Sequence, residues 1–88
     1  LLEPALTVIS VNIEGLSDAK ISIISEMCKN NKCHILCLQE THTDENSNIP
    51  IIPGMNLVIQ RPHPKHGSAI FAKPGLKINI AQMSDDNN

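Results

Sequence analysis

His34-Ile-Leu-Cys-Leu-Gln-Glu40 is a short apolar run that turns polar at its last two residues. A run of this length between polar neighbours reads as a buried strand and is too short for a globular helix. Upstream, Leu6-Thr-Val-Ile-Ser-Val-Asn12 is rich in β-branched residues and apolar on both faces, the pattern of an interior strand. Glu14-Gly15-Leu16 breaks that strand. Ser17 then supplies an N-cap, and Asp18 places an acid where the helix dipole favours it. Ile21, Ile24 and Cys28 recur at helical spacing, Ile23 and Met27 widen the stripe, and Asn30-Asn31 is a stop. Strand, helix and strand with short connections make a βαβ unit whose strands run parallel. Both strands then end at one edge of the sheet. Asn12 and Glu40 emerge together there, where open α/β sheets take their ligands.

The rest of the chain extends this unit. Residues 41–53 are polar with two prolines and read as a loop. Met55–Gln60 reads as a third strand and Ser68–Lys73 as a fourth, paired as an antiparallel hairpin. Arg61-Pro-His-Pro-Lys-His-Gly67 is the turn between them, because Pro62 and Pro64 cannot donate to a ladder. Pro74-Gly75 is a further turn, after which Leu76–Ala81 begins a fifth strand. Residues 5–82 form the expected domain and residues 83–88 a disordered tail.

Composition sets the bounds. With 88 residues, 41% of them hydrophobic, the chain is too short for two ordinary domains and too apolar to be wholly disordered. A folded chain of this size buries only about 60% of its unfolded surface, so its core is thin. Phe71 is the only aromatic. The start at Leu1 reads as a piece of something longer. A net charge of −2 gives no global pull toward nucleic acid or anionic membrane. Locally, residues 47–82 carry Arg61, Lys65, Lys73 and Lys77 and no acid, which suits a phosphate backbone. Cys28, Cys33 and Cys37 lie in apolar-patterned segments, as reduced thiols of an intracellular, reducing compartment do. Their spacing with His42 matches no zinc finger or knuckle, and Cys33 and Cys37 are expected on one strand face as buried hydrophobes. No membrane-spanning helix or signal peptide is expected.

In order, "LTVISVNIEGL" (6–16), an amphipathic helix, "CHILCLQETHT" (33–43) and "HGSAIFAKPGL" (66–76) resemble the start of the endonuclease/exonuclease/phosphatase superfamily. The likeness is greatest to the apurinic-endonuclease-like domain of non-LTR retrotransposons and covers about residues 5 to 80. The implied fold is the N-terminal half of a four-layer α/β sandwich, a βαβ unit followed by a hairpin, incomplete by itself. The implied reaction is hydrolysis of a DNA phosphodiester with Mg2+ or Mn2+. By resemblance Glu40 matches the metal-ligating glutamate, and Asn12 the amide beside the metal that helps orient phosphate and carboxylate. A hard cation wants carboxylate oxygens, and an amide offers a donor and an acceptor without charge. DNA is the implied partner of the parent protein, with the nucleus its place of action.

The resemblance also implies groups from a second sheet: a tyrosine, an Asp-x-Asn pair and a C-terminal Ser-Asp-His. The chain has no Tyr and no Ser-Asp-His, and Met83-Ser-Asp-Asp86 does not substitute. The paired glycines that open the fourth strand in this subgroup are replaced by His66-Gly67-Ser68. The expectation is therefore a chain inactive alone, or else a non-catalytic remnant that binds or scaffolds and self-associates through an exposed sheet. A phosphatase on lipid or nucleotide substrates shares the fold and the glutamate.

Simpler readings stand beside each candidate. Glu40 in isolation reads as a solvated strand-end carboxylate, and Asn12 equally as an Asx-turn residue. Gln39 reads as a strand-end stabiliser and His42 as a loop histidine. Arg61, Lys65 and His66 are candidate contacts to a nucleic-acid backbone, or plain solubilising groups.

Overall fold

The structure, a computed structural model, describes residues 5–43, 51–79 and 81. Along the chain run β1 (Val8–Asn12), α1 (Asp18–Asn30), β2 (Ile35–Gln39), β3 (Asn56–Arg61) and β4 (Ser68–Ala72). The fold is α/β: one helix and a mixed four-stranded sheet in the order β1-β2-β4-β3. β1 and β2 are parallel, with Val8 opposite Ile35 and Asn12 opposite Gln39. β4 is antiparallel to both its neighbours, and a bulge between Leu57 and Ile59 interrupts its pairing with β3. The expected βαβ unit and hairpin are both present.

Local chemistry sets the ends of α1. Ser17 is extended, and its Oγ accepts from the Lys20 N–H at 3.2 Å, satisfying one of the free donors of the first turn. At the other end the Cys33 N–H reaches back to the Cys28 carbonyl at 2.9 Å and the Lys32 N–H to Lys29 at 3.3 Å. These nested bonds, with Lys32 at φ 51°, form a Schellman motif, which turns the chain directly into β2.

Side chains alternate across a strand, so the register divides the sheet into two faces. Leu36, Leu38, Ala69 and Phe71 are buried together with Ile24 and Cys28 of the helix. Ile9 and Val11 pack against this core half-buried. Leu36 is wholly excluded from solvent, and each such side chain contributes about 1.5–3 kcal/mol by leaving water. Val8, Ser10 and Asn12 of β1 and Ile35, Cys37 and Gln39 of β2 lie on the opposite face.

Several expectations are corrected. β1 lies at one end of the strand order, so it is an edge strand of the described sheet and not an interior one. Val8 is 55% exposed, because the helix covers only the other face. Ile23 does not widen the buried stripe; at 68% exposure it sits one helical step off the Ile24–Cys28 line. Cys33 precedes β2 and joins the helix-side core, while Cys37 lies half-buried on the other face, so the two thiols do not share one. Residues 76–79 and 81 form no strand. β4 already has β2 and β3 as neighbours, so a following strand would need an outer edge, and the Leu76 N–H instead closes a turn onto Lys73 at 3.3 Å. Most of the expected loop (residues 44–50) and the expected tail (83–88) lie outside the described residues.

Candidate functional site

Both parallel strands end at the same edge, as the βαβ reading requires, with Asn12 directly opposite Gln39. A regular pleat would carry Glu40 to the helix face, away from Asn12. Glu40 instead takes a left-handed backbone, φ 53°, and its side chain turns back toward β1. Asn12 Nδ2 donates to Glu40 Oε2. The other end of the same amide accepts the Glu14 N–H at 3.2 Å, closing an Asx turn. Asn12 is therefore at once the turn residue and the partner of the carboxylate.

The segment after Asn12 is fixed from two sides. Ile13 N–H donates to the Gln39 carbonyl at 3.0 Å and Gly15 N–H to the Glu40 carbonyl at 2.7 Å, extending the pairing beyond both strands. From α1, the Lys20 ammonium donates to the carbonyls of Ile13, Glu14 and Gly15 at 2.7, 3.1 and 3.3 Å. Glu14 also has positive φ, 47°, so the turn after Asn12, like the end of β2, holds a non-glycine residue in the left-handed region.

His42 is drawn into the same group. Its Nε2 lies 3.7 Å from Glu40 Oε1, the two side chains being 35% and 38% exposed. Its backbone is left-handed too, φ 54°, and its Nδ1 would lie 3.2 Å from a Cβ placed on Gly15. Two left-handed residues flanking Thr41 store backbone strain at the strand end, where functional sites concentrate it. Thr41 and Thr43 point inward, buried, with their hydroxyls 3.1 Å apart.

The basic turn docks beside them. His42 N–H donates to the His66 carbonyl at 2.6 Å, and Thr41 N–H to the Gly67 carbonyl at 3.3 Å. Gly67 has φ 92°, and a Cβ there would meet Thr41 Oγ1 at 2.5 Å, so the turn approaches β2 through the space a side chain would fill. Within the turn, His63 Nδ1 accepts the N–H groups of Lys65 and His66 at 3.1 and 3.2 Å. Across the sheet the terminal register row reads Asn12, Gln39, Ser68, Arg61. Arg61 thus shares the edge with Asn12 but lies three strands away, about 14 Å at ordinary strand spacing. Gln39 donates through Nε2 to Ser10 Oγ at 2.6 Å, consistent with a strand-end role.

Asn12, Glu40 and the turn bearing Lys65 and His66 therefore converge on one edge. The sequence reading missed the close approach of His42, the packing of Thr41 on Gly67 and the clamp from Lys20. The first two depend on left-handed residues that carry ordinary side chains, which no residue-type rule flags. Lys20 was visible only as a lysine in the first turn of a helix.

Among the described residues no group of three or more His, Cys, Asp or Glu could hold a metal ion. Magnesium nevertheless takes only one or two carboxylates and keeps several waters, so a single exposed carboxylate suits it. Glu40 fits that description. The oxygen of Asn12 is engaged by Glu14, which leaves the amide to orient the carboxylate. The chain does contain Asp-x-Asn as letters, at 44–46, 85–87 and 86–88, outside the described residues. Of the groups that the resemblance implies, the sequence lacks the tyrosine and the Ser-Asp-His. No helix among the described residues is long and apolar enough to cross a membrane. No protein-family model matches the chain, and no curated protein matches it significantly.

Proposed function

We propose that the chain is the cation-holding part of a metal-dependent phosphodiesterase domain of the retrotransposon endonuclease type. Its sheet would be half of a four-layer α/β sandwich. The single observation that carries this reading is the hydrogen bond from Asn12 to Glu40 at the carboxyl edge of two parallel strands. In the reading Glu40 holds Mg2+ or Mn2+, which would polarise the phosphoryl oxygen and activate water. Asn12 holds the carboxylate in place, and Arg61 at the end of β3, with Lys65 and His66 of the turn that follows, tracks the DNA backbone.

Alone, the chain is inactive in this account. Phosphoryl transfer needs a general base, transition-state donors and a metal cage together, and one carboxylate with one amide cannot assemble all three. A supercoiled-plasmid nicking assay with magnesium tests this. No cleavage above a metal-free control is expected, and nicking that vanishes in Glu40→Gln would overturn it.

A second reading, a non-catalytic piece that binds or scaffolds through its open sheet face, is favoured by the exposure of Val8 at 55% beside half-buried Ile35 and Cys37. Sedimentation distinguishes the two: concentration-dependent association abolished by Val8→Lys supports the second, and a concentration-independent monomer contradicts it.

A further inference from the structure

A different part of the molecule carries chemistry that the phosphodiesterase reading does not use. Cys28 and Cys33 occupy the third-from-last helical position and the position just beyond the left-handed residue of the Schellman motif. That motif brings these two side chains into contact, commonly as a pair of hydrophobes. Here both are thiols. The Cys33 N–H holds the Cys28 carbonyl at 2.9 Å, and Cys33 Sγ donates to the Ile35 carbonyl at 3.0 Å. Both are buried from bulk solvent yet line a cavity of about 460 Å3 between the end of α1 and the segment 53–55. Lys29, Lys32 and Lys73 stand around the same cavity with one acid, Glu26.

We infer that Cys28 and Cys33 form a thiol pair that closes to a disulfide by exchange with small anionic disulfides admitted to this lysine-rimmed cavity. The inference is independent of the Asn12–Glu40 site. A small molecule fits a space of this size, and three ammonium groups against one carboxylate favour a negatively charged one. Glutathione disulfide has that chemistry.

The exchange has two steps. Cys33, as thiolate, attacks one sulfur of the small disulfide. A Cys33 mixed disulfide forms and the first small thiolate leaves, taking up the proton Cys33 gave to solvent. Cys28 then attacks the Cys33 sulfur, expels the second small thiolate and loses its own proton. Two protein thiols are oxidised and one small disulfide is reduced to two thiols. The order follows from the state of Cys28. Burial, reinforced by the neighbouring Cys33 charge and hydrogen bond, pushes its pKa up to about 11, so it starts as a poor nucleophile. Once Cys33 is in the mixed disulfide it bears neither charge nor thiol, so both Cys33 contributions vanish and only burial still holds the Cys28 pKa up as Cys28 resolves the adduct. The product covalently ties the helix end to the approach to β2.

The test exposes the reduced chain to glutathione disulfide, quenches by alkylation and maps the cysteines by mass spectrometry. The expected product has lost two hydrogens through a Cys28–Cys33 link, with Cys37 alkylated. Cys28→Ser should stop at a glutathione adduct on Cys33, and Cys33→Ser should leave Cys28 unmodified. At low salt glutathione disulfide should react about tenfold faster than the cationic disulfide cystamine, with the gap closing at high salt. A wild-type chain that acquires adducts only at Cys37, or keeps both core thiols reduced, would overturn the pair; this reading needs no variant to fold. Equal rates for the two disulfides would overturn the anionic preference.

Discussion

Asn12 and Glu40 are hydrogen-bonded although the sheet register sets Asn12 opposite Gln39. The contact exists because Glu40 leaves the strand through a left-handed turn, and because the Glu14 N–H fixes the oxygen end of the amide. An amide held at both ends is a rigid support for a carboxylate. That support is what separates a candidate cation site from an ordinary solvated glutamate.

Asn12→Ala removes both bonds of the amide. Each is worth about 0.5–1.5 kcal/mol net, so the variant should lose about 1–3 kcal/mol. Urea denaturation checks this, and an unchanged midpoint would mean that neither bond persists in solution.

Gly67→Ala should cost about 1–3 kcal/mol, from the positive φ and from the approach to Thr41 Oγ1 at 2.5 Å. Thr41→Ala in the same chain should recover part of that loss. The recovery stays partial because the Arg61 carbonyl and His63 nitrogen also lie 3.3 Å from the new Cβ. A double-mutant cycle with no coupling would contradict the packing of the turn on β2.

Lys32 occupies the left-handed position of the Schellman motif, where glycine carries no steric penalty. Lys32→Gly should stabilise the fold by about 0.5–1 kcal/mol, the relief of strain outweighing the added freedom of the unfolded chain. Thermal unfolding reads the sign directly.

Cys28 gives the fold an alkaline weakness. Its thiol ionises near 11 when folded, against 9.0 ordinarily, so between these values the unfolded chain holds fewer protons and stability falls as pH rises. The contribution is whole below pH 9 and lost through pH 11, a fall of about 2–3 kcal/mol at most. Denaturation curves under reductant should show this fall in the wild type and less of it in Cys28→Ser. Parallel pH dependence in both would contradict a protonated, buried thiol.

The sequence made some of this legible and hid the rest for physical reasons. Apolar runs around Val8–Asn12 and Ile35–Gln39, with Ser17 as cap, located the βαβ unit, because burial and capping are written in residue types. The hairpin followed from the two prolines of its turn. The edge position of β1 was not readable: whether a strand has a second neighbour depends on where the rest of the chain goes. The Asn12–Glu40 pairing was expected from a shared sheet edge, yet strict alternation would have separated the two. What joins them is a left-handed glutamate, and backbone strain of that kind has no signature in residue type. Thr41 was likewise passed over, because a threonine just past a strand gives no sign that it will be buried beneath the next turn.

Manganese titration followed by the electron paramagnetic resonance of free Mn2+ tests the central claim most directly. The account predicts one weak site in the wild type, at least about tenfold weaker in Glu40→Gln, a loss of about 1.4 kcal/mol. Asn12→Ala should weaken it by a smaller factor, since the carboxylate remains but loses its support. Equal Mn2+ affinity in wild type and a folded Glu40→Gln would contradict the account.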